Sequence, residues 1–247
     1  MKYLEKRYPH ERDKLLKFDS ETHTYIVDNV FYKSVSSIIA SLFDKFDTDT
    51  CIRNMIDGKN WIHHELYGKS IDEIKKIWME RNQKAMEEGV RLHEDIENYL
   101  NNITVENKSI EYQYFLNFIA EQELSVYRTE WRIFHEGFRF AGTIDMCSKN
   151  QDGTLSIYDW KRSKSIKRFN SFKHAIVSGL QHIMDTNFYH YALQLNLYKF
   201  ILEEKYNFKV KKMYLVCLHP DNKNNDYLVY TVPCMLKEIL LITKRLE

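Results

Sequence analysis

The clearest chemical pattern in the chain is a pair of aspartates followed by a lysine: Asp145, Asp159 and Lys161. The stretches that carry them are typical of β-strands, in which alternate residues point to the same face. Asp159 and Lys161 alternate with apolar residues in the segment 155–161, so they continue a face that favours a buried position. Carboxylates and an ammonium group on such a face are suited to holding a cation and stabilising developing negative charge.

The turn between the two strands determines how the aspartates meet. Residues 151–153 (Gln-Asp-Gly) predict a three-residue loop that ends in a left-handed glycine, which places Asn150 opposite Thr154. Counting back along the strands puts Asp145 opposite Asp159, where the carboxylates repel and desolvation adds to the cost. A cation between them, or a proton kept on one, makes the pair tolerable. A two-residue loop would break this register, and an Asp–Lys ion pair at a strand end is the other interpretation.

The strand that carries Asp145 predicts a matching face. Under strict alternation Asp145 lies on the same side as Ala141, Thr143 and Cys147. The hairpin formed by residues 138–162 would then present both carboxylates on one side of the sheet.

Composition limits the kind of protein that this chain can form. It has 247 residues, 44% of them hydrophobic, with 7 glycines and 3 prolines, so we expect one domain with a substantial core. A net charge of +1 argues against a general polyanion binder and requires local clusters of Lys and Arg for any nucleic-acid contact. No apolar run approaches ~18 residues, and the N-terminus lacks an apolar signal segment. We therefore expect a soluble, intracellular protein without a signal peptide or membrane partner.

The order of the predicted elements favours an α/β fold, in which a small mixed β-sheet is flanked by helices. Alternation around Asp28-Asn29 predicts a hairpin over 18–33. The other predicted elements are helices over 50–80, 82–100, 109–123, 188–205 and 235–246, strands within 131–162 and over 211–218 and 227–232, and an irregular basic stretch over 163–185. The single domain, 1–247, divides into an N-terminal hairpin and helical cap (1–80) and a core (81–247).

Three motifs resemble those of a known nuclease superfamily. GTID (142–145) followed by YDWK (158–161) resembles the PD-(D/E)XK signature. GVRLHEDIENYL (89–100) resembles the helical His motif of its RecB-like branch, and QLNLY (194–198) matches that branch's Q-x-x-x-Y motif. The segment around the signature is similar to mitochondrial genome maintenance exonuclease-like and viral or phage RecB-like exonucleases. The resemblance, which covers residues 85–218, implies a restriction-endonuclease-like fold and phosphodiester hydrolysis with Mg²⁺ or Mn²⁺.

The resemblance also implies roles for individual residues around the metal. His93 becomes a metal ligand beside Asp145 and Asp159, and its nitrogen would favour Mn²⁺ relative to an all-oxygen site. Glu97, one helical turn further on, could orient the imidazole as a hydrogen-bond acceptor. Trp160 could offer its backbone carbonyl to the metal while its indole points into the core.

Three further residues are candidates for the catalytic site. Gln194 and Tyr198 lie one helical turn apart and can contact the same group. The resemblance implies that Gln194 touches the Lys161 region or the DNA, with Tyr198 in support. Glu130 precedes the hairpin, where RecB-like enzymes often place an acidic residue near the site. Core packing of Tyr198 and a surface position for Glu130 are the alternatives.

A basic stretch follows the signature directly. Beside a phosphodiester site these side chains are expected to grip the DNA backbone, although a solvated charged face is the plain alternative. The candidates are Arg162, Lys164, Lys167, Arg168 and Lys173. Single-stranded or free-ended DNA is therefore the expected partner. The four cysteines do not match the pattern of iron–sulfur RecB-like nucleases, so no cluster is expected.

Several functions stay open at this stage. The leading hypothesis is a stand-alone exonuclease on single-stranded or free-ended DNA. A structure-specific or restriction-type DNA endonuclease would use the same chemistry. A non-catalytic DNA-binding recombination accessory module would have no reason to keep Asp145, Asp159 and Lys161 together. The Q-x-x-x-Y helix argues against an RNA endonuclease of the cap-snatching kind.

The segment 34–80 bears on the need for a free end. In the exonuclease relatives such helices form an arch that admits a threaded single strand, and aromatic stacking with basic side chains holds such a strand. The aromatics here could equally form the core of a plain cap. The residues concerned are Lys45, Arg53, Lys59, Lys69, Trp61, Tyr67 and Trp78.

Overall fold

The computed structural model describes residues 1–246 and shows a mixed sheet with helices on both faces. The helices are α1 (Tyr3–Arg7), α2 (Val35–Ala40), α3 (Thr48–Ile56), α4 (Ile71–Leu100), α5 (Ile110–Glu121), α6 (Asn187–Lys205) and α7 (Leu236–Lys244). The strands are β1 (Leu16–Asp19), β2 (Thr24–Val27), β3 (Val30–Ser34), β4 (Val126–His135), β5 (Phe140–Lys149), β6 (Leu155–Lys161), β7 (Val210–Cys217) and β8 (Leu228–Thr231). The predicted α/β class, a mixed sheet flanked by helices with an N-terminal helical elaboration, is confirmed.

The sheet opens at one edge of β5, its central strand. The strand order is β1-β2-β3-β5-β6-β7-β8, and β4 pairs with β5 in addition. Because β4 runs antiparallel along almost all of β5, the two remaining partners of β5 must share its other edge. β3 pairs there, parallel, with Phe140 and Ala141, whereas β6 pairs, antiparallel, only from Met146 onward. Residues 142–145 therefore lie where β3 and β6 separate.

Two hydrophobic layers cover the faces of the sheet. One layer packs α2, α6 and α7 onto the sheet around Trp131 and Ile157. The other packs α4 and α5 around Trp160, whose indole is buried against Phe115 as predicted. A large ring of this kind removes roughly 150–250 Å² from water, so each face has its own anchor. Among residues 1–246, no helix has both the length and the apolar character needed to cross a membrane.

The N-terminal third differs from the sequence prediction in its helices. The hairpin at Asp28-Asn29 is present, and both residues have the left-handed φ, 49° and 62°, that a two-residue turn requires. The predicted helix over 50–80 is wrong, because α3 ends at Ile56 and the chain then turns until Ser70. There Ser70 and Glu73 form a capping box that starts α4, and this helix continues without a break to Leu100.

The helical cap, which we define as residues 44–80, has a small core of its own. Ile52 on α3 and Ile74 on α4 are fully buried together. Trp61 and Trp78 pack against this cluster, whereas Tyr67 is 58% exposed. The aromatics of this segment therefore divide between a packing role and a surface position.

Candidate metal centre and active site

Three acidic side chains occupy one row across β4, β5 and β6. The β5–β6 turn has the predicted form: Gly153 has φ 81°, and the Asn150 N–H donates to the Thr154 carbonyl at 2.8 Å. The resulting register pairs Met146 with Tyr158, so the next row brings Asp145 level with Asp159. In β4, Thr129 and Trp131 pair with the residues on either side of Asp145. Glu130 therefore completes the row from the opposite side.

The strands are distorted at this row. Glu130 has φ 43°, a left-handed conformation that is costly for a residue other than glycine and often marks a functional site. β5 also changes face here, because Ile144 and Cys147 both lie in the layer under α6 although they are three residues apart. The predicted shared face is therefore wrong: Ala141 and Thr143 contact the N-terminal hairpin, on the side opposite Cys147.

The reversal at Asp145 turns its carboxylate into the gap between β5 and β6. The ladder ends at Met146, and the Trp160 N–H donates to Asp145 Oδ2 at 2.8 Å. Burial raises the pKa of Asp145, although the nearby charges of His93 and Lys161 oppose the shift. A carboxylate with this burial needs positive charge beside it to stay ionised.

His93 reaches the row from α4. Its Nε2 lies 3.0 Å from the Trp160 carbonyl oxygen, while Nδ1 faces Asp145 Oδ2 at 3.6 Å and Glu130 Oε1 at 3.8 Å. Burial lowers the pKa of His93, but the carboxylates of Asp145 and Glu130 outweigh it and raise the pKa to about 9. Positive charge is therefore favoured at this point, whether a proton or a cation supplies it.

Asp159 and Lys161 form the most buried part of the site. Asp159 is 1% exposed, and Lys161 Nζ lies 2.6 Å from its Oδ2. Burial raises the pKa of Asp159 to about 6, with Lys161 opposing the shift and Asp145 adding to it. Burial lowers the pKa of Lys161, but Asp159 and Asp145 outweigh it and hold the pKa above its ordinary value. Each group of the pair therefore favours the ionised form of the other.

The same row satisfies the requirements of a hard divalent cation. Both Asp159 carboxylate oxygens are buried without a well-directed hydrogen bond, despite the short contact from Lys161. Buried carboxylate oxygens rarely lack partners, so an additional positive group fits there. His93, Glu130 and Asp145 offer ligand atoms that all lie within 4.8 Å of one another. One nitrogen and several carboxylate oxygens form a donor set that Mg²⁺ and Mn²⁺ accept.

The Q-x-x-x-Y helix supports this row from the α6 side. Gln194 Nε2 donates to the Tyr198 hydroxyl at 2.8 Å. Tyr198 is buried, and its ring covers Gly142 so closely that a Cβ there would lie 2.4 Å from the ring. The glycine of GTID and the tyrosine of QLNLY are therefore packing partners, and Tyr198 holds Gln194 in place.

Two residues of α6 and β5 were missed or understated by the sequence prediction. Tyr191 belongs to none of the three motifs, yet the centroid of its ring lies 4.6 Å from Lys161 Nζ in a cation–π contact. Its position three residues before Gln194, on the same helical face, was the available signal. Gly142 belongs to the GTID motif, but nothing in the sequence indicates its contact with the Tyr198 ring.

Two other predicted roles need correction. The Glu97 carboxylate pairs with Lys2 Nζ at 2.7 Å, so it does not serve as the acceptor for the His93 ring. Arg162 is not free to grip DNA, because it pairs with Glu88 and Glu111, each at 2.8 Å. These bonds instead tie the end of β6 to α4 and α5.

The remaining predicted DNA contacts lie on the surface beyond Arg162. Lys167 and Lys173 are exposed, and Lys164 is exposed but pairs with Asp221 at 3.0 Å. The guanidinium of Arg168 lies 4.4 Å from the ring of Phe188. The basic stretch thus splits into one structural residue and four surface residues.

A cleft of about 1180 Å³ leads from solvent to the row of acidic residues. His93, Glu130 and Lys161 lie on its wall. A groove of about 580 Å³ on the cap side of α4 shares Met86 with it. The two depressions therefore meet along one face of α4.

No protein-family model and no curated protein matches this chain. Among solved structures, a Eubacterium rectale protein provisionally named an exonuclease aligns with a TM-score of 0.37 and 15% identity, covering 87% of this chain and 79% of its own. A protein named SSO0001 aligns with a TM-score of 0.35 and 15% identity, covering 86% of this chain and 73% of its own. Likeness of this extent assigns no function, so the proposal below stands on the site.

Proposed function

We propose that this protein is a divalent-metal-dependent nuclease that hydrolyses phosphodiester bonds in DNA. The observation that carries the proposal is the row formed by Glu130, Asp145 and Asp159, with His93 and Lys161 against it. In a purely structural ion-pair cluster each buried oxygen would have a partner, whereas Asp159 Oδ1 has none and Oδ2 has only the ion pair with Lys161. Glu130 of the row, together with His93 and Lys161, also lies on the wall of a cleft of about 1180 Å³.

The residues of the site would have different roles, according to their positions. Asp145, Asp159, Glu130 and His93 would hold the cation, with the Trp160 carbonyl at its margin. Bound there, a divalent cation supplies Lewis-acid polarisation of the phosphodiester and lowers the pKa of a water. When Nε2 of His93 donates to the Trp160 carbonyl, the lone pair of Nδ1 faces the two carboxylates, as a ligand requires.

Lys161 is placed to act on the substrate itself. Its ammonium is held by Asp159 on one side and by the Tyr191 ring on the other, yet it remains on the wall of the cleft. A preorganised cation in a partly dehydrated site stabilises charge that develops on phosphate oxygens. Gln194, which donates to the Tyr198 hydroxyl, would be a further polar contact for substrate or lysine.

We further propose that the substrate is single-stranded or free-ended DNA and that the enzyme is an exonuclease. The support is that the groove at the cap and the cleft both lie against α4 and share Met86 as a lining residue. Met79, Met86 and Val90 are exposed on α4, so they offer bases an apolar surface between the two depressions. An unpaired strand can stack its bases on such a surface, whereas the bases of a duplex are paired and stacked on one another.

The test is cleavage by purified protein in Mg²⁺ and then Mn²⁺. Linear and circular DNA and RNA of matched sequence, with end-labelled products, separate exonuclease from endonuclease and DNA from RNA. We expect linear single-stranded DNA to be shortened from an end, and EDTA to stop the reaction. Cleavage of RNA alone, or cleavage that persists in EDTA, would overturn the proposal.

A further inference from the structure

The segment between β6 and α6 exposes two phenylalanines in an unusual electrostatic setting. Residues 163–184, which we call the aromatic loop, contain four Lys or Arg residues and no Asp or Glu. Phe169 is 70% exposed and Phe172 is 92% exposed. Large apolar rings displayed singly on a surface need no explanation, but a pair set among cations of one sign indicates a ligand that is both aromatic and anionic.

Hydrogen bonds hold the backbone of the aromatic loop in a defined conformation. Asn170 Oδ1 accepts from the N–H groups of Phe172 and Lys173 at 3.0 and 3.1 Å, while Asn170 Nδ2 donates to the Asp185 carbonyl at 2.9 Å. A β-bridge between His174 and Met184 closes the loop behind this turn. The backbone that carries the two rings is therefore held in place, so a ligand would not have to order the loop itself.

The underside of the loop is anchored in the core. Ala175, Val177, Leu180 and Ile183 are buried in the layer under α6. The large apolar residues of the loop that are exposed are Phe169, Phe172 and Ile176, which is 56% exposed, and the two phenylalanines are the aromatic ones. Hydrophobic packing accounts for the buried residues and leaves the exposed ones unexplained.

The base of the loop lies close to the catalytic lysine. The Phe188 N–H donates to the Lys167 carbonyl at 3.3 Å, at the start of α6. Tyr191, which contacts Lys161, follows Phe188 by three residues, or roughly 4.5 Å along a helix. The loop therefore starts about one helical turn from the site.

We propose that Phe169 and Phe172 stack on bases of single-stranded DNA held beside the active site, while Lys167 and Lys173 contact its phosphates. The choice of a nucleic acid follows from charge complementarity and rests on the function proposed above. Neither lysine forms an ion pair within residues 1–246, whereas Lys164 pairs with Asp221 and Arg168 stacks on Phe188. The two free cations therefore flank the two exposed rings, an arrangement that holds a strand without reading its sequence.

The experiment measures binding separately from cleavage. A fluorescein-labelled 30-nucleotide oligothymidine is titrated with protein in EDTA, and anisotropy is recorded. We expect Phe169→Ala/Phe172→Ala to weaken binding by roughly 10-fold or more, because each stacked base contributes on the order of 1–3 kcal/mol. The matched control is Phe31→Ala, a 72% exposed phenylalanine on β3, which should leave binding unchanged. Phe172→Trp should keep binding and show quenched indole fluorescence on the oligonucleotide.

A small substrate distinguishes this inference from the proposed function. Hydrolysis of bis(p-nitrophenyl) phosphate in Mn²⁺ should be the same in wild type and the double variant, since that ester cannot reach the loop. Phenylalanine-dependent binding without any cleavage would keep the inference and overturn the proposed function. Cleavage with equal binding in all variants would do the reverse. Loss of binding to phosphatidylserine vesicles, with oligothymidine binding unaffected, would assign the rings to a membrane and also overturn the inference.

Discussion

The two ends of α4 belong to regions of very different construction. At its C-terminal end, Leu92 and Ile96 are buried with Trp160 in the layer that positions His93. At its N-terminal end, Ile74 is buried only within the small cap cluster. Between them, every residue from 81 to 87 is exposed. The candidate metal site is therefore built on a buried hydrophobic layer, whereas the cap joins it through about two turns of uncovered helix.

Because the two ends of α4 differ in how they are packed, they can contribute differently to function. The exposed stretch is held by local pairs, such as Gln83 with Glu87 at 2.7 Å and Arg81 with Glu65 at 2.6 Å. Exposed pairs of this kind stabilise by no more than about 1 kcal/mol each. Chemistry that depends on sub-ångström geometry belongs to the sheet end, and selection of the substrate can belong to the cap. The following predictions test that division.

The largest effect is expected from the carboxylates of the row. Asp145→Ala and Asp159→Ala should each reduce cleavage by more than roughly 100-fold, because even residues behind metal ligands cost 10- to 100-fold. DNA binding should survive or tighten, since repulsion of phosphate falls. The control is Glu123→Ala, which removes an exposed acidic side chain between α5 and β4. Activity above a few percent in Mn²⁺ for either site variant would contradict the metal assignment.

Variants of Lys161 and His93, the two cationic groups beside the row, should show smaller effects that distinguish their roles. Lys161→Ala should lower kcat by about 100-fold, the lower end of the range seen when a preorganised donor is removed, while Mn²⁺ still binds. His93→Ala should weaken Mn²⁺ affinity instead. Calorimetric titration of both folded variants decides the matter. Equal loss of metal binding in the two would mean that Lys161 acts by maintaining the fold around Asp159.

The cap should determine which form of DNA is degraded, linear or circular, and should leave the hydrolysis step unchanged. If a strand enters along α4 beneath the cap, linear single-stranded DNA should be degraded at least several-fold faster than a closed circle of the same sequence. The measurement is loss of each species in Mg²⁺ and then in Mn²⁺. Ile52→Ala opens a cavity in the cap core and should destabilise the cap by about 2–5 kcal/mol. In the same assay this variant should degrade linear and circular DNA at more similar rates than wild type does. Comparable rates on both forms in wild type would favour the endonuclease and leave the row unaffected.

The sequence predicted the parts of the site that local rules govern. The Asp152-Gly153 turn has one favoured geometry, and that geometry alone placed Asp145 level with Asp159. The helix carrying Gln194 and Tyr198 followed from periodicity in the same way. Resemblance to a family supplied His93, and the structure brings its ring to the row.

The remaining features depend on contacts between distant segments. The change of face at Asp145 accompanies the left-handed Glu130 on another strand, and no pattern within β5 indicates it. Arg162 looked like one of a basic run because its partners, Glu88 and Glu111, lie on helices far away in the sequence. Glu97 has the right spacing for His93, yet Lys2 from the N-terminus takes its carboxylate. Spacing predicts which groups can meet, and tertiary packing decides which of them do.

The smallest predicted effect compares two glycines, Gly142 on β5 and Gly89 on α4. Gly142→Ala should destabilise the protein by about 1–3 kcal/mol, because its Cβ would lie 2.4 Å from the buried ring of Tyr198. Gly89→Ala lies in α4 with nothing within 4 Å of its Cβ, so it should stabilise the helix by roughly 0.5–1 kcal/mol. Urea unfolding of both variants gives the two free-energy changes with opposite signs.

A double-mutant cycle identifies the cause at Gly142. In a Tyr198→Ala background the ring is gone, so Gly142→Ala should add little further destabilisation. An unchanged cost in that background would show that the backbone at residue 142, and not the tyrosine, excludes a side chain. In that case Tyr198 would hold Gln194 without being held by the strand, and the close fit inferred for the sheet end of the molecule would not extend to α6.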